Sequence, residues 1–514
     1  NAYWRARCGE LLDMVQQLGA PTVFFTLSAA DLHWPELYKI LDPDTDYSLL
    51  DKTTSYRRRS ALLNENPMVV DWFFHDRADF FIKNVIVPQY QVKDFWYRTE
   101  YQHRGSPHIH GVLWLEGAPD VSNLESADEN TLGTIAQYFG RVVSTNNPNN
   151  NAQVPLVHPC QLHYSDVPDH EVDYANLVNC CQRHTRHGPQ CIRKNKTTKQ
   201  DECRFKFPFP LQDTTCLTKE SGSWEIRTER NDPLVNRHNR YITEHWRANT
   251  DVQCIVSLSA VLNYIAKYAT KGEPRSKAME DLLNDALSKG DDRAVTAIQK
   301  LFIRTCSERD YSAQETFHIV MGWPLYHSSR AFVKVNVESE QWVTMDGPQS
   351  NEDERSAKSA LDTYPQRPPA QEDMSLVQFF SHFYKNGNRW VKRRTPAVIR
   401  VFPRRSPNSP DKVAYYRQQV LLHVPWRELS VFDYSDWETL HRTLVHPEVH
   451  LELPVVEDEY DENDGDSDHN MEEWMLVASG DPHGKIGANV EIGRREMDLQ
   501  SNWCESFHQY ENTP

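Results

Sequence analysis

Two patterns alternate along the first third of the chain. In PTVFFTLSAADLHWPELYKIL (21–41), the unbroken apolar run Val23 to Leu27 predicts a buried strand, followed by a turn and a helix beginning near Trp34–Pro35. In NPMVVDWFFHDRADFFIKNVI (66–86), Val69, Phe73, Phe80, Phe81 and Val85 recur at helical spacing. KDFWYRTEYQ (93–102) alternates as a strand does, RGSP (104–107) is turn chemistry, and HIHGVLWLE (108–116) reads as a second strand, so the two form a hairpin. Residues 118–155 are acidic and Asn-rich and read as loop rather than core. A Cys/His-rich region follows to about 216. DVQCIVSLSAVLNYIAKYATKGEP (251–274) reads as a helix ended by Gly272 and Pro274, and 276–303 as further helices. Polar sequence near 350–372 marks a linker, and no internal repeat is visible.

A chain of 514 residues predicts two to four domains. Apolar content of 39% and fourteen Trp are enough for real cores. No run of eighteen apolar residues and no signal-peptide pattern occur, so no membrane span is expected. The chain opens with Asn inside a helix-like stretch, which reads as a fragment of something longer.

The formal charge of −17 argues against a nucleic-acid partner until its distribution is considered. Glu457 to Glu473 carries ten acids and no Lys or Arg, the mark of a disordered tail or linker. Elsewhere cations gather. RRR occupies 57–59, and 183–206 holds eight Lys/Arg against two acids. Met374 to Pro410 has eight basic residues, no acid, and interleaved Phe, Tyr and Trp. A solvated face explains any one cluster, but cations mixed with rings are also what a single-strand groove needs, because phosphates pair with charge and bases stack on aromatics. Arg104, Arg183, Arg186, Arg389, Lys392, Arg393 and Arg394 are the candidate DNA contacts.

Six of ten cysteines (Cys160, Cys180, Cys181, Cys191, Cys203, Cys216) fall within 57 residues, mixed with His158, His163, His170, His184 and His187. Without a secretory signal, that density favours metal over disulfides. His184, His187, Cys191 and Cys203, with Cys180 or Cys181 in reserve, suit a four-coordinate structural Zn²⁺, although spacing alone leaves the choice of four open.

Side chains on a strand alternate faces, so His108 and His110 project from one side. Across the hairpin Glu100 and Gln102 also share a face, and either completes a three-ligand site with the open positions that catalysis requires. The string E-x-Q-x-R-G-x-P-H-I-H (100–110) resembles the HUH motif of rolling-circle Rep endonucleases, and FFTLSAADLHWPEL resembles their first motif. That resemblance implies a third motif, a helix with catalytic tyrosines. In NYIAKYATKG, Tyr264 and Tyr268 lie four apart, about 40° around a helix axis, with Lys267 and Lys271 in the same sector. Leu258, Leu262, Ile265 and Ala269 form a separate apolar stripe. A phenol with pKa near 10 is a poor nucleophile until a cation favours its phenolate.

The pattern Y-x-x-K-Y-x-x-K with EYQHRGSPHIHGVLW upstream resembles the Rep part of Helitron transposases, as do CRFKFP (203–208), ERDYSAQE (308–315), PLYHSSRAFV (324–333) and YYRQQVLLHVPWR (415–427). The resemblance implies an α+β fold with a central antiparallel sheet flanked by helices, an inserted Cys/His zinc-binding segment and a further, mostly helical C-terminal region. It implies a Rep core over 1–157 and 217–275 interrupted by the insert 158–216, a helical region 276–345, a linker 346–373, a connecting region 374–450 and an acidic tail 451–514. The implied activity is metal-dependent nicking and joining of single-stranded DNA at transposon ends through 5′-phosphotyrosine, in the nucleus, with Mg²⁺ or Mn²⁺ held by His108, His110 and Glu100 or Gln102. The Rep part of such proteins continues into a helicase, yet this chain has no G-x-x-x-x-G-K-[ST] loop; GDPHGKI (480–486) has the wrong spacing. Two alternatives stand beside this reading: a plasmid or viral replication initiator of the same chemistry, and a non-catalytic, zinc-stabilised DNA binder derived from a transposon.

Overall fold

The structure, a computed structural model, describes residues 2–101, 105–151, 155–185, 191–194, 199–203, 205–220, 223–256, 312–338, 359–405, 411–432 and 436–445. The chain divides into two compact units. The smaller begins with helix α1 (Ala2–Leu18) and resumes at Ser328; the larger contains the described residues within 21–256 and 312–327.

The larger unit is α+β. Strand β1 (Val23–Ser28) is buried throughout, as its apolar run predicts. Pro35 then starts α2 (Pro35–Leu41), α3 (Lys52–Glu65) is capped by Asp51, and Pro67 opens α4 (Pro67–Phe81). A π-helical turn, Ile82–Ile86, continues α4. The hairpin follows as β2 (Val92–Tyr101) and β3 (Pro107–Leu115). Two small hairpins come next, β4 (Ile192–Lys194) with β5 (Asp201–Cys203) and β6 (Cys216–Glu220) with β7 (Ser223–Arg227). Strands β8 (Thr250–Cys254) and β9 (Tyr326–Ser328) complete a five-stranded sheet in the order β8-β1-β3-β2-β9, antiparallel at β8/β1, β1/β3 and β3/β2.

Strand alternation gives this sheet two characters. One face turns Phe25, Leu27, Ile109, Leu113, Tyr97 and Val252 into a core shared with Trp34, Phe74, Phe81 and Trp246. Burying a side chain of this size is worth about 1.5–3 kcal/mol each. The other face carries Ser28, Thr26, His108, His110, Glu100, Arg98 and Asp251. Gly111 lies on the core side, opposite Phe25 and Tyr97. A Cβ there would sit 2.5 Å from the Phe25 ring and 2.7 Å from Tyr97 Cβ, so no larger residue fits without moving a strand.

Four sequence expectations change. Residues 251–254, read as the start of a helix, belong to β8, where Val252 faces Phe25 across the ladder; the remainder of that stretch from 257 lies outside the described residues. The stretch 118–155 contains the helix Glu129–Val142, capped by Asp128, because Leu132, Ile135 and Phe139 form a helical stripe that packs on Ile226 and Val256. The buried stripe of α4 is Val70, Phe74, Ala78 and Phe81, with Phe73 and, beyond the helix, Val85 packed against the same core, whereas Phe80 is exposed. Residues 359–372, read as the end of a linker, are anchored by the fully buried Tyr364.

In the smaller unit, β10 (Phe332–Val335) pairs in parallel with β13 (Val398–Val401), and β11 (Phe383–Asn386) forms a hairpin with β12 (Arg389–Lys392). Its core includes Val335, Tyr364, Leu376, Phe379, Ile399, Val420, Leu421 and Trp426. The Gln17 side chain of α1 acts as a strand edge: its amide N–H donates to Ile399 O at 2.7 Å and its oxygen accepts from Ile399 N at 2.8 Å. Among the described residues no helix is long and apolar enough to cross a membrane.

Candidate metal centre and nucleic-acid interface

The hairpin register decides which oxygen meets the imidazoles. Glu100 lies directly opposite His108, and Arg98 directly opposite His110. Glu100 divides its carboxylate: Oε1 accepts from Arg98 Nη2 at 2.9 Å, while Oε2 lies 3.6 Å from Nε2 of both His108 and His110. Burial opposes charge on Glu100, but Arg98 and the two histidines together hold its carboxyl well below the usual range, so it stays an anionic ligand. The two rings stand at 83° with centroids 4.8 Å apart, and Thr26 Oγ1 is in hydrogen-bond contact with His110 Nδ1 at 3.0 Å. That contact orients the ring with Nε2 toward Glu100 Oε2, the usual outer support of a metal-bound histidine.

This donor set fits a divalent cation. Two imidazole nitrogens and one carboxylate oxygen lie within 4.8 Å of one another. Cis ligands of an ion with bonds of about 2.1 Å are about 3 Å apart, so the 3.6 Å separations close with small rotations. Both histidines are buried, whereas the Glu100 side chain is 20% exposed, which leaves one open side. Of the two oxygen candidates, Glu100 is in place; Gln102 lies outside the described residues, as do Tyr264, Lys267, Tyr268 and Lys271.

Three supporting residues were missed in the sequence: Thr26, Arg98 and Asp251. Asp251 pairs with Thr26 on β1, and burial pushes its carboxyl up to about 6 against the opposing effects of Gln253, Arg237 and His110. The strand end beside Glu100 is also anchored. Tyr101 donates its hydroxyl to Asp71 Oδ1 at 2.6 Å, and Asp71 Oδ2 lies 3.0 Å from His318 Nδ1. The β2–β3 pairing was legible as a pattern, and the resemblance of FFTLSAADLHWPEL to a strand lying beside the histidine strand is matched by β1 against β3; the other partners arrive from β8, α4 and the helix Ala313–Val320.

The zinc candidates assemble in part. Cys191 Sγ lies 3.2 Å from His184 Nε2 and 3.4 Å from Cys203 Sγ, and Cys203 Sγ lies 3.5 Å from His184 Nε2. The β4–β5 hairpin brings the two cysteines together, and His184 packs on Phe207 of the CRFKFP string at 4.7 Å. Two thiols and an imidazole at these separations suit three corners of a zinc tetrahedron. His187 lies outside the described residues. Cys181, held in reserve for this group, lies instead against Cys160.

Of the candidate DNA contacts, Arg389 and Lys392 are exposed on β12 and Arg394 is exposed just after it. Arg393 lies over the Tyr384 ring at 5.2 Å, and Lys385 over Trp390 at 5.7 Å, so cations and rings interleave on this hairpin. Arg183 is different. Its Nε donates to the buried Asp232 at 2.8 Å, which balances its charge inside the fold. Arg104 and Arg186 lie outside the described residues.

Residues 1–113 match the family model described as "Helitron helicase-like domain at N-terminus", a span that ends within β3 and includes Glu100, His108 and His110. The match supports a Helitron-related protein. It implies interaction with DNA and a role related to Helitron transposition. No curated protein matches the chain.

Proposed function

We propose that this chain is a metal-dependent enzyme that nicks and transfers single-stranded DNA, the Rep-type part of a Helitron transposase. The observation that carries this reading is the convergence of Glu100 Oε2 with the ring nitrogens of His108 and His110 inside the span of the family match. Glu100, His108 and His110 would hold Mg²⁺ or Mn²⁺, which when bound polarises the scissile phosphate. Arg98 keeps the Glu100 carboxylate charged and aimed, and Thr26 keeps His110 in its ligating orientation.

In the reaction, the phenolic oxygen of Tyr264 or Tyr268 forms a bond to phosphorus as the phosphorus–O3′ bond breaks. The phenol's proton leaves to solvent, and the departing 3′ oxygen takes one up. The phosphoester is exchanged rather than hydrolysed, so the 5′-phosphotyrosine retains the capacity to rejoin a strand. Lys267 and Lys271 would stabilise phenolate or phosphate charge. The His184–Cys191–Cys203 cluster is, in this reading, a structural zinc site, and the Arg389–Arg394 segment a single-strand contact surface.

The test is incubation of the protein with a single-stranded oligonucleotide and Mn²⁺. A covalent adduct that survives denaturation is expected, and Tyr264→Phe with Tyr268→Phe together should abolish it while DNA affinity stays nearly intact. Tight binding with no adduct from the unaltered chain would make this a DNA-binding protein instead.

A further inference from the structure

A second thiol cluster lies apart from the one read in the sequence. Cys160 and Cys181 are both fully buried, and their sulfurs are 3.4 Å apart. The ligand atoms of His158, Cys160 and Cys181 lie within 4.8 Å of one another. The three residues come from two separate short turns: His158 caps the turn Pro159–Gln161, and Cys181 lies in the π-helical turn Val178–Gln182.

Both turns are clamped from the segment after the helix Arg240–Trp246. Arg247 donates to Pro159 O while pairing with Asp173, and Asn249 Nδ2 donates to Cys181 O at 2.5 Å. His158 Nδ1 accepts from the backbone N–H of Cys160 at 3.3 Å, which ties the ring to the turn beside the two sulfurs. The His33 ring stacks on that of His158 at 3.9 Å, only 11° from parallel.

We propose that His158, Cys160 and Cys181 form a second structural zinc site, distinct from the His184–Cys191–Cys203 cluster. The two thiols face each other in an enclosed core. With a divalent ion they release two protons, and the resulting site of Zn²⁺, two thiolates and a neutral imidazole carries no net charge. A sulfur–sulfur separation of 3.4 Å is far beyond the roughly 2.0 Å of a disulfide and close to a zinc tetrahedron with bonds of about 2.3 Å. Water completes the fourth position, and the His33 ring, stacked on His158, packs against the ligand ring. Zinc here staples the 158–161 turn to the 178–182 turn.

The proposal is tested on the whole chain, purified with reductant and without chelator, by elemental analysis. About two zinc ions per chain are expected in the unaltered protein, falling to about one in Cys160→Ser and in Cys181→Ser, and to about one in Cys191→Ser. Zinc content that is unchanged by both Cys160→Ser and Cys181→Ser overturns it. Should those variants fail to fold, pulsed alkylation of the unaltered protein decides. Cys160 and Cys181 should label only as chelator removes zinc, while the buried Cys8 of the smaller unit serves as the control that does not respond. Equal labelling with and without zinc, or a Cys160–Cys181 disulfide found by non-reducing peptide mass spectrometry, overturns the proposal.

Discussion

The Glu100–His108–His110 centre and the Cys/His clusters differ in support, donors and access. The first stands on paired β-strands, uses nitrogen and oxygen, and keeps one partly exposed side at Glu100. The others stand on short turns and a three-residue hairpin, use sulfur, and sit with at least one fully or nearly fully buried cysteine each. Hard ligands with an open side suit an ion that must reach phosphate, whereas closed thiolate sites suit an ion that holds a fold together. Under the proposed function, chemistry belongs to the sheet and cohesion to the turns.

Breaking the sheet site should erase chemistry and spare the fold. His108→Ala with His110→Ala is expected to reduce adduct formation at least about 10³-fold, with a melting transition that remains cooperative. Cys191→Ser should do the reverse, lowering stability by several kcal/mol in a denaturant titration while the protein that stays folded still forms adduct. If Cys191→Ser removed activity from fully folded protein, the division between the two regions would fail.

The third expectation concerns pH. The Asp251 carboxyl, at about 6 in the fold against an ordinary 3.8, is one the folded state prefers protonated. Its contribution is therefore present at low pH and is lost as pH rises from about 4 to about 6. Asp251→Asn should remove that slope, a difference on the order of 2–3 kcal/mol across the window, measured by denaturant midpoints in metal-free buffer. The smallest effect is expected from Thr26→Val, which leaves all three ligands in place but frees the His110 ring; Mn²⁺ affinity should fall about 10–100-fold by calorimetric titration.

The legible part of this molecule is its local part. The hairpin could be read because alternation and the RGSP turn lie within one short stretch, and the register then followed from the strand pairing. β8 could not, because Cys254, Ile255 and Val256 run on into a longer apolar stretch with no turn residue to mark where pairing with β1 ends. The helix Glu129–Val142 was hidden by the polar composition around it, although its apolar spacing was there. Thr26, Arg98 and Asp251 carry no motif of their own; each matters only because the sheet lines it up with His110 or Glu100. Cys160 and Cys181 stand 21 positions apart, and nothing in that interval announces that two turns will bring their sulfurs together.

Gly111 carries one last implication. Because an added methyl would press on Phe25 and Tyr97 at once, any wedge there would pry β3 away from its neighbours on both sides. The residue just before it is His110, so the aim of that imidazole is governed from behind, by how little room the hydrophobic side of the sheet allows.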